Sequence, residues 1–165
     1  MSPTSLRRFA VLGLSLLGTL AAAAALQAAP AAAQSQQTFQ DWEVVCNDKG
    51  ICSAQHTASN NLARLVIGPN PERNALNMAF IVAKEAKPSS PAGLLIRGKG
   101  ILPLQVRDCG PQYCFAVPPA NIIGDVIEDL KAEREAIIAY QTEQQMVISP
   151  ISLMGMSNAL EALPK

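Results

Sequence analysis

Apolar and polar side chains alternate with a period of two along most of this chain, and clusters of glycine, proline, asparagine or charge cut each run short. From Thr38 to Cys46, Trp42, Val44 and Cys46 fall on one side and Asp41 and Glu43 on the other, which predicts a half-buried strand. A strand leads on from Cys52, and a short one covers Leu62 to Ile67 before a turn cluster with two prolines at 68–74. Leu76, Met78, Phe80 and Val82 then alternate with Asn77, Ala79, Ile81 and Ala83, a central strand with Met78 and Phe80 in the core. Leu94–Arg97 and Ile101–Arg107 are two more, parted by Gly98 and Gly100. Pro103 has no N–H to give a ladder and predicts an edge or a bulge near the start of the second. Strands at Ala136–Tyr140 and Met146–Ile151 flank a polar turn. The period lengthens once: Ile122, Ile123, Val126, Ile127 and Leu130 recur at helical spacing opposite Asp125, Glu128, Asp129 and Lys131. This predicts one amphipathic helix of about three turns capped near Asn121, and Met156–Leu163 adds a short helical tail. Seven or eight short strands with a single helix predict a mainly β chain, a β-sandwich.

The stretch Leu104 to Val117 organises the second half. Two alternating runs flank a four-residue loop with Gly110 and Pro111, and Cys109 and Cys114 stand at its mouths, a hairpin stapled across its neck. Cys46 and Cys52 likewise flank a turn. Opposed residues of an antiparallel pair approach the separation a disulfide needs, so Cys46–Cys52 and Cys109–Cys114 are the expected bridges, worth roughly 2 kcal/mol each from loop closure. Gaps of five and four residues fit neither the two-residue spacing of structural zinc pairs nor that of a thioredoxin-like redox pair. With Cys46 opposite Cys52, Val44 faces Ala54, Trp42 faces His56 and Glu43 faces Gln55. Trp42 thereby becomes an anchor of the core. On the second hairpin the apolar face reads Leu104, Val106, Phe115 and Val117, which places Phe115 beside Trp42 and Phe80 as a core anchor. Cys109–Cys114 then falls on the wetter side, to be reduced first.

Arg7 and Arg8, the apolar run Phe9–Leu20 and the small residues ending at Ala33 describe a cleaved secretory signal peptide, residues 1–33. Residues 34–165 form a single domain of 132 residues, enough for one core. Losing Arg7 and Arg8 leaves eleven basic residues against thirteen acidic, a net charge near −2 that argues against a nucleic-acid partner. No apolar run of spanning length follows the signal, so the exported chain is expected to have no transmembrane segment. The even cysteine count agrees with an oxidising compartment.

Candidate chemistry is sparse. His56 is the single histidine, and a metal would need further ligands; no serine has a nucleophile-elbow setting. The carboxylates at 125, 128 and 129 lie on the solvated face of the predicted helix. Gly98-Lys-Gly100 is too short for a phosphate cradle. No catalytic, cofactor-binding or metal-binding residue is therefore expected. The polar loop Lys84–Ala92 reads as a connector with the exposure of a recognition loop.

The order of short motifs brings a resemblance. Asp41-Trp42-Glu-Val-Val-Cys46, then Cys52-Ser-Ala-Gln55, the Cys109/Cys114 pair ahead of Phe115-Ala-Val and the ending Ile151-Ser-Leu-Met-Gly155 follow an alanine-rich leader. Together they resemble the invasion-associated locus B family of bacterial exported proteins, from about Trp42 to Leu160. The resemblance implies an immunoglobulin-like β-sandwich in the periplasm or on the cell surface, a part in host-cell invasion for some members, and no established catalytic residues. The expectation is a non-enzymatic binding or accessory module of the cell envelope, with an unknown envelope or host-surface partner and no cofactor. The alternatives are a periplasmic chaperone-like or inhibitor-like module offering a sheet edge, and a hydrolase or redox enzyme centred on His56 or a cysteine pair.

Overall fold

The computed structural model describes residues 36–88 and 90–164; the expected signal peptide lies outside the described residues. Ten strands follow in order: β1 Gln36–Phe39, β2 Trp42–Cys46, β3 Cys52–Thr57, β4 Ala63–Asn70, β5 Ala75–Ala83, β6 Ala92–Ile96, β7 Gly100–Arg107, β8 Tyr113–Val117, β9 Glu135–Gln141 and β10 Met146–Ser152. Helix α1 spans Ile123–Lys131 and helix α2 Met156–Glu161. The chain is mainly β with one amphipathic helix and a short C-terminal helix, in line with the sequence pattern. The strand count exceeds seven or eight in part because Thr38–Cys46 is not one strand. Gln40, at φ 54°, turns the chain back, and Phe39 pairs with Trp42 in a separate β1–β2 hairpin.

Every neighbouring pair is antiparallel, in the order β1-β2-β3-β4-β5-β8-β7-β6-β9-β10. The ladder folds over so that its last strands lie against its first ones. The indole N–H of Trp42 donates to the Ser152 carbonyl at 2.9 Å, the Tyr140 hydroxyl to the Leu62 carbonyl at 2.7 Å, and Asn60 Nδ2 to the Ile148 carbonyl at 3.0 Å. The two layers of the sandwich thus belong to one continuous sheet. Trp42, Leu65, Ile67, Phe80, Leu94, Ile138, Tyr140 and Ile151 are fully buried between them, joined by Leu130 of α1 and Met156 of α2. These are the inward positions of the period-two runs, so alternation alone fills the core from both sides.

Three local expectations change. Asn121 does not cap α1: it lies in a 3₁₀ turn, Ala120–Ile122, and Ile122 precedes the helix without a side-chain capping bond. The turn takes up the chain as it leaves Pro118-Pro119. Pro103 sits in β7, an interior strand by order. Yet Val117, the last residue of β8, pairs with Gln105, so at Pro103 the strand has a neighbour on one side only. The missing N–H is tolerated for that reason.

Phe115 is the third, and it is a correction. It is half-buried on the outer face, opposite Arg107 and Ile81, while Cys114 and Ala116 are fully buried. The ladder pairs Arg107 with Phe115, a register that would set Cys109 against Tyr113, but the sulfur contact joins Cys109 to Cys114, one residue out of step. Asp108, at φ 50°, absorbs the extra residue at the hairpin neck. A one-residue slip exchanges the two faces of a strand. Trp42 and Phe80 occupy the core, each with no exposed surface.

Candidate functional site

Two places in the fold invite a chemical reading, and the first surrounds His56. In the β2–β3 ladder Glu43 opposes Gln55, Val44 opposes Ala54 and Cys46 opposes Cys52. That register lays the His56 ring against Trp42, with centroids 6.0 Å apart and planes 27° off parallel. His56 Nδ1 meets the Asp41 carbonyl oxygen at 2.6 Å, and the Ser152 backbone N–H donates to Nε2 at 3.2 Å. With Nε2 accepting from the main chain, Nδ1 is the nitrogen left to donate to the Asp41 carbonyl. Ser152 Oγ donates to Asp41 Oδ2, and the Met154 N–H donates to Ser152 Oγ at 3.3 Å.

A serine, a histidine and an aspartate therefore meet, but not as a nucleophile system. A triad needs the hydroxyl proton aimed at the imidazole and the carboxylate behind the ring. Here the hydroxyl proton goes to Asp41, and the one acceptor nitrogen of His56 is occupied by main chain. The cluster ties the end of β10 to β2 and β3. Ser152 and Asp41 could not be placed here from sequence, because 111 residues separate them.

The second place is an open groove of about 850 Å³ on the outer face of the sheet. Its floor is Val45 of β2, Val66 of β4, Ala79 of β5, and Phe115 and Val117 of β8. The turn Asn47–Ile51 borders it at one side and Pro118 to Ile123 at the other, with Gln55, Asn77, Gln105, Arg107 and Asp108 among its polar lining. Phe115 is braced edge-on by Tyr113, with centroids 5.4 Å apart at 81°. Arg107 and Asp108 pair at 3.4 Å, an exposed contact of little energetic weight. An apolar floor with a few amide groups suits orientation of a partly apolar ligand. The aromatic assigned to the core from sequence is thus part of this floor. The signal that could have placed it is the Asp108-Cys109-Gly110-Pro111 neck, whose residue types favour a bulge.

Both cysteine couples stand at disulfide distance, with Cα separations of 3.8 Å for Cys46 and Cys52 and 4.0 Å for Cys109 and Cys114. Cys109 is exposed, Cys46 half-buried, and Cys52 and Cys114 buried. Cys114 Sγ lies 3.3 Å from the Ala86 carbonyl oxygen, so the second couple also packs under the β5–β6 connection. Among the described residues no group of three or more His, Cys, Asp or Glu is placed to hold a metal ion. No described helix is long and apolar enough to cross a membrane.

A ten-stranded antiparallel sheet folded over one core, with two cysteine couples at hairpin necks and a groove on its outer face, is the class of protein these features define. The chain belongs to the family described as Invasion associated locus B (IalB) protein, whose model matches residues 32–164. It is also similar to the crystal structure of invasion associated protein B from Bartonella henselae. The TM-score is 0.60 and the identity 20%, over 77% of this chain and 94% of that one. At that identity the likeness speaks for the fold alone. No curated protein matches the chain significantly.

Proposed function

We infer that this chain is an exported, non-enzymatic binding or accessory module of the bacterial cell envelope, holding an envelope or host-surface partner in the groove over Phe115. Residues 1–33 direct export and are removed, leaving residues 34–165 as the working domain in the periplasm, on the outer surface or in the medium. The two bridges close after export. The names of the family and of the Bartonella henselae protein make association with invasion the first context to test. The groove carries the reading: it has an apolar floor and a mostly neutral amide lining. Support against a hydrolase comes from the wiring of His56, whose nitrogens both serve the main chain.

The test compares the purified exported protein with Ala79→Arg, which puts a long charged side chain on the groove floor without entering the core. Both are used to capture components from envelope extract and from host-cell surfaces. A partner held by the wild type and released by the variant is the expected result. A partner held equally by both, or none above background with either, would overturn the reading.

A further inference from the structure

Beyond the groove, the outer face of β7, β6, β9 and β10 carries a second surface. The ladder registers align Ile101, Leu95, Ile137 and Pro150 in one row across the four strands. Pro103, Gly93, Ala139 and Ile148 form the next. None of the eight positions carries a charged or polar side chain. Ile101 is 74% exposed, Ile148 60% and Leu95 41%. At one end of the rows Arg97 and Glu135 flank the Ile96–Ala136 pair; both are exposed, and among the described residues neither belongs to an ion pair. At the other end stand Gln141 and Met146, without charge. Contiguous apolar surface of this kind marks an interaction site.

We propose that this face packs against the same face of a second copy of the chain, in a two-fold dimer whose axis runs parallel to the strands between β6 and β9. The order β7-β6-β9-β10 suits that symmetry. Rotation about such an axis exchanges β6 with β9 of the second copy and β7 with β10, row for row. Leu95 then meets Ile137 of the second copy, and Ile101 meets Pro150. Gly93 is buried, with Ile101 Cγ2 in the space a side chain there would take, so Ile101 and the small Ala139 lie at the centre of the contact and the sheets close to the usual distance of about 10 Å. Arg97 meets Glu135 of the second copy, and the reciprocal pair forms by symmetry. An axis across the strands would bring Arg97 over Pro91 and Glu135 over Gln141 of the second copy, with no charge to meet either. The charge pattern therefore selects the copy and its orientation together.

The test is self-association of the purified exported protein, followed by sedimentation or light scattering over a wide concentration range. Dimerisation is expected, weakened at least about tenfold by Ile148→Lys or Ile101→Lys, each a change at an exposed position. Arg97→Glu and Glu135→Arg each weaken it, and the doubly exchanged chain regains the wild-type constant. Circular dichroism spectra establish that the variants fold. A protein monomeric at every concentration, association indifferent to Ile148→Lys, or a double exchange that fails to restore it would each refute the proposal. So would a monomer whose neutral phosphatidylcholine-vesicle binding is abolished by Ile148→Lys, which assigns the face to a lipid surface.

Discussion

Gly155 offers the sharpest test of how the two ends of the described chain are joined. It lies at φ 91° immediately before α2, and a Cβ built on it would stand 1.9 Å from the Phe39 carbonyl oxygen and 2.7 Å from the carbonyl carbon. Carbon and oxygen do not normally approach within about 3.3 Å, so Gly155→Ala requires β1 and the start of α2 to part by more than an ångström. The obstacle is backbone and cannot rotate away. The left-handed conformation costs an alanine roughly 1–2 kcal/mol, and overpacking adds about 1–3 kcal/mol. A loss of about 2–5 kcal/mol is expected, which for a domain of this size lowers Tm by roughly 6–20 °C. Gly98→Ala separates the two contributions, because Gly98 has φ 71° with nothing within 4 Å of its built Cβ. It should lose only the conformational part. Thermal and urea unfolding of the two variants and the wild type measure the difference. Equal destabilisation by both substitutions would refute the claim that contact with Phe39 imposes glycine at position 155.

Ser149 is fully buried, and among the described residues its hydroxyl has no hydrogen-bond partner; Ser149→Ala should raise stability by about 1 kcal/mol in urea unfolding. Burial pushes the Tyr140 hydroxyl above its ordinary 10.0, the Ala83 N–H opposes the shift and Glu85 adds to it. A raised folded value means that this contribution is complete below pH 10 and is lost as pH rises through the folded value. Wild-type stability should therefore fall above pH 10 more steeply than that of Tyr140→Phe, which loses about 1 kcal/mol at neutral pH with the bond to Leu62. Mild reductant followed by alkylation and mass spectrometry should label Cys109 before Cys46 or Cys52, since Cys109 is exposed while Cys46 is half-buried and Cys52 buried; the reverse order would contradict this.

The period-two runs by themselves determined the strand-rich class, the inward positions at Trp42, Val44, Met78 and Phe80, and the amphipathic stripe of α1. The β2–β3 register was equally legible, because a hairpin is local: a six-residue separation and alternation on both arms leave one consistent pairing. The same rule misplaced Phe115, since a single left-handed residue, Asp108, reverses the parity and favours no face in the pattern around it. What lay beyond sequence was the folding of the sheet onto itself. The meeting of His56, Asp41 and Ser152 and the approach of Gly155 to Phe39 depend on contacts between segments 96 or more residues apart in the chain. The groove and the uncharged face across β7, β6, β9 and β10 arise from strand order, with β6 beside β9 and β8 beside β5. Periodicity states which side of a strand a residue faces; only tertiary packing decides what lies on that side.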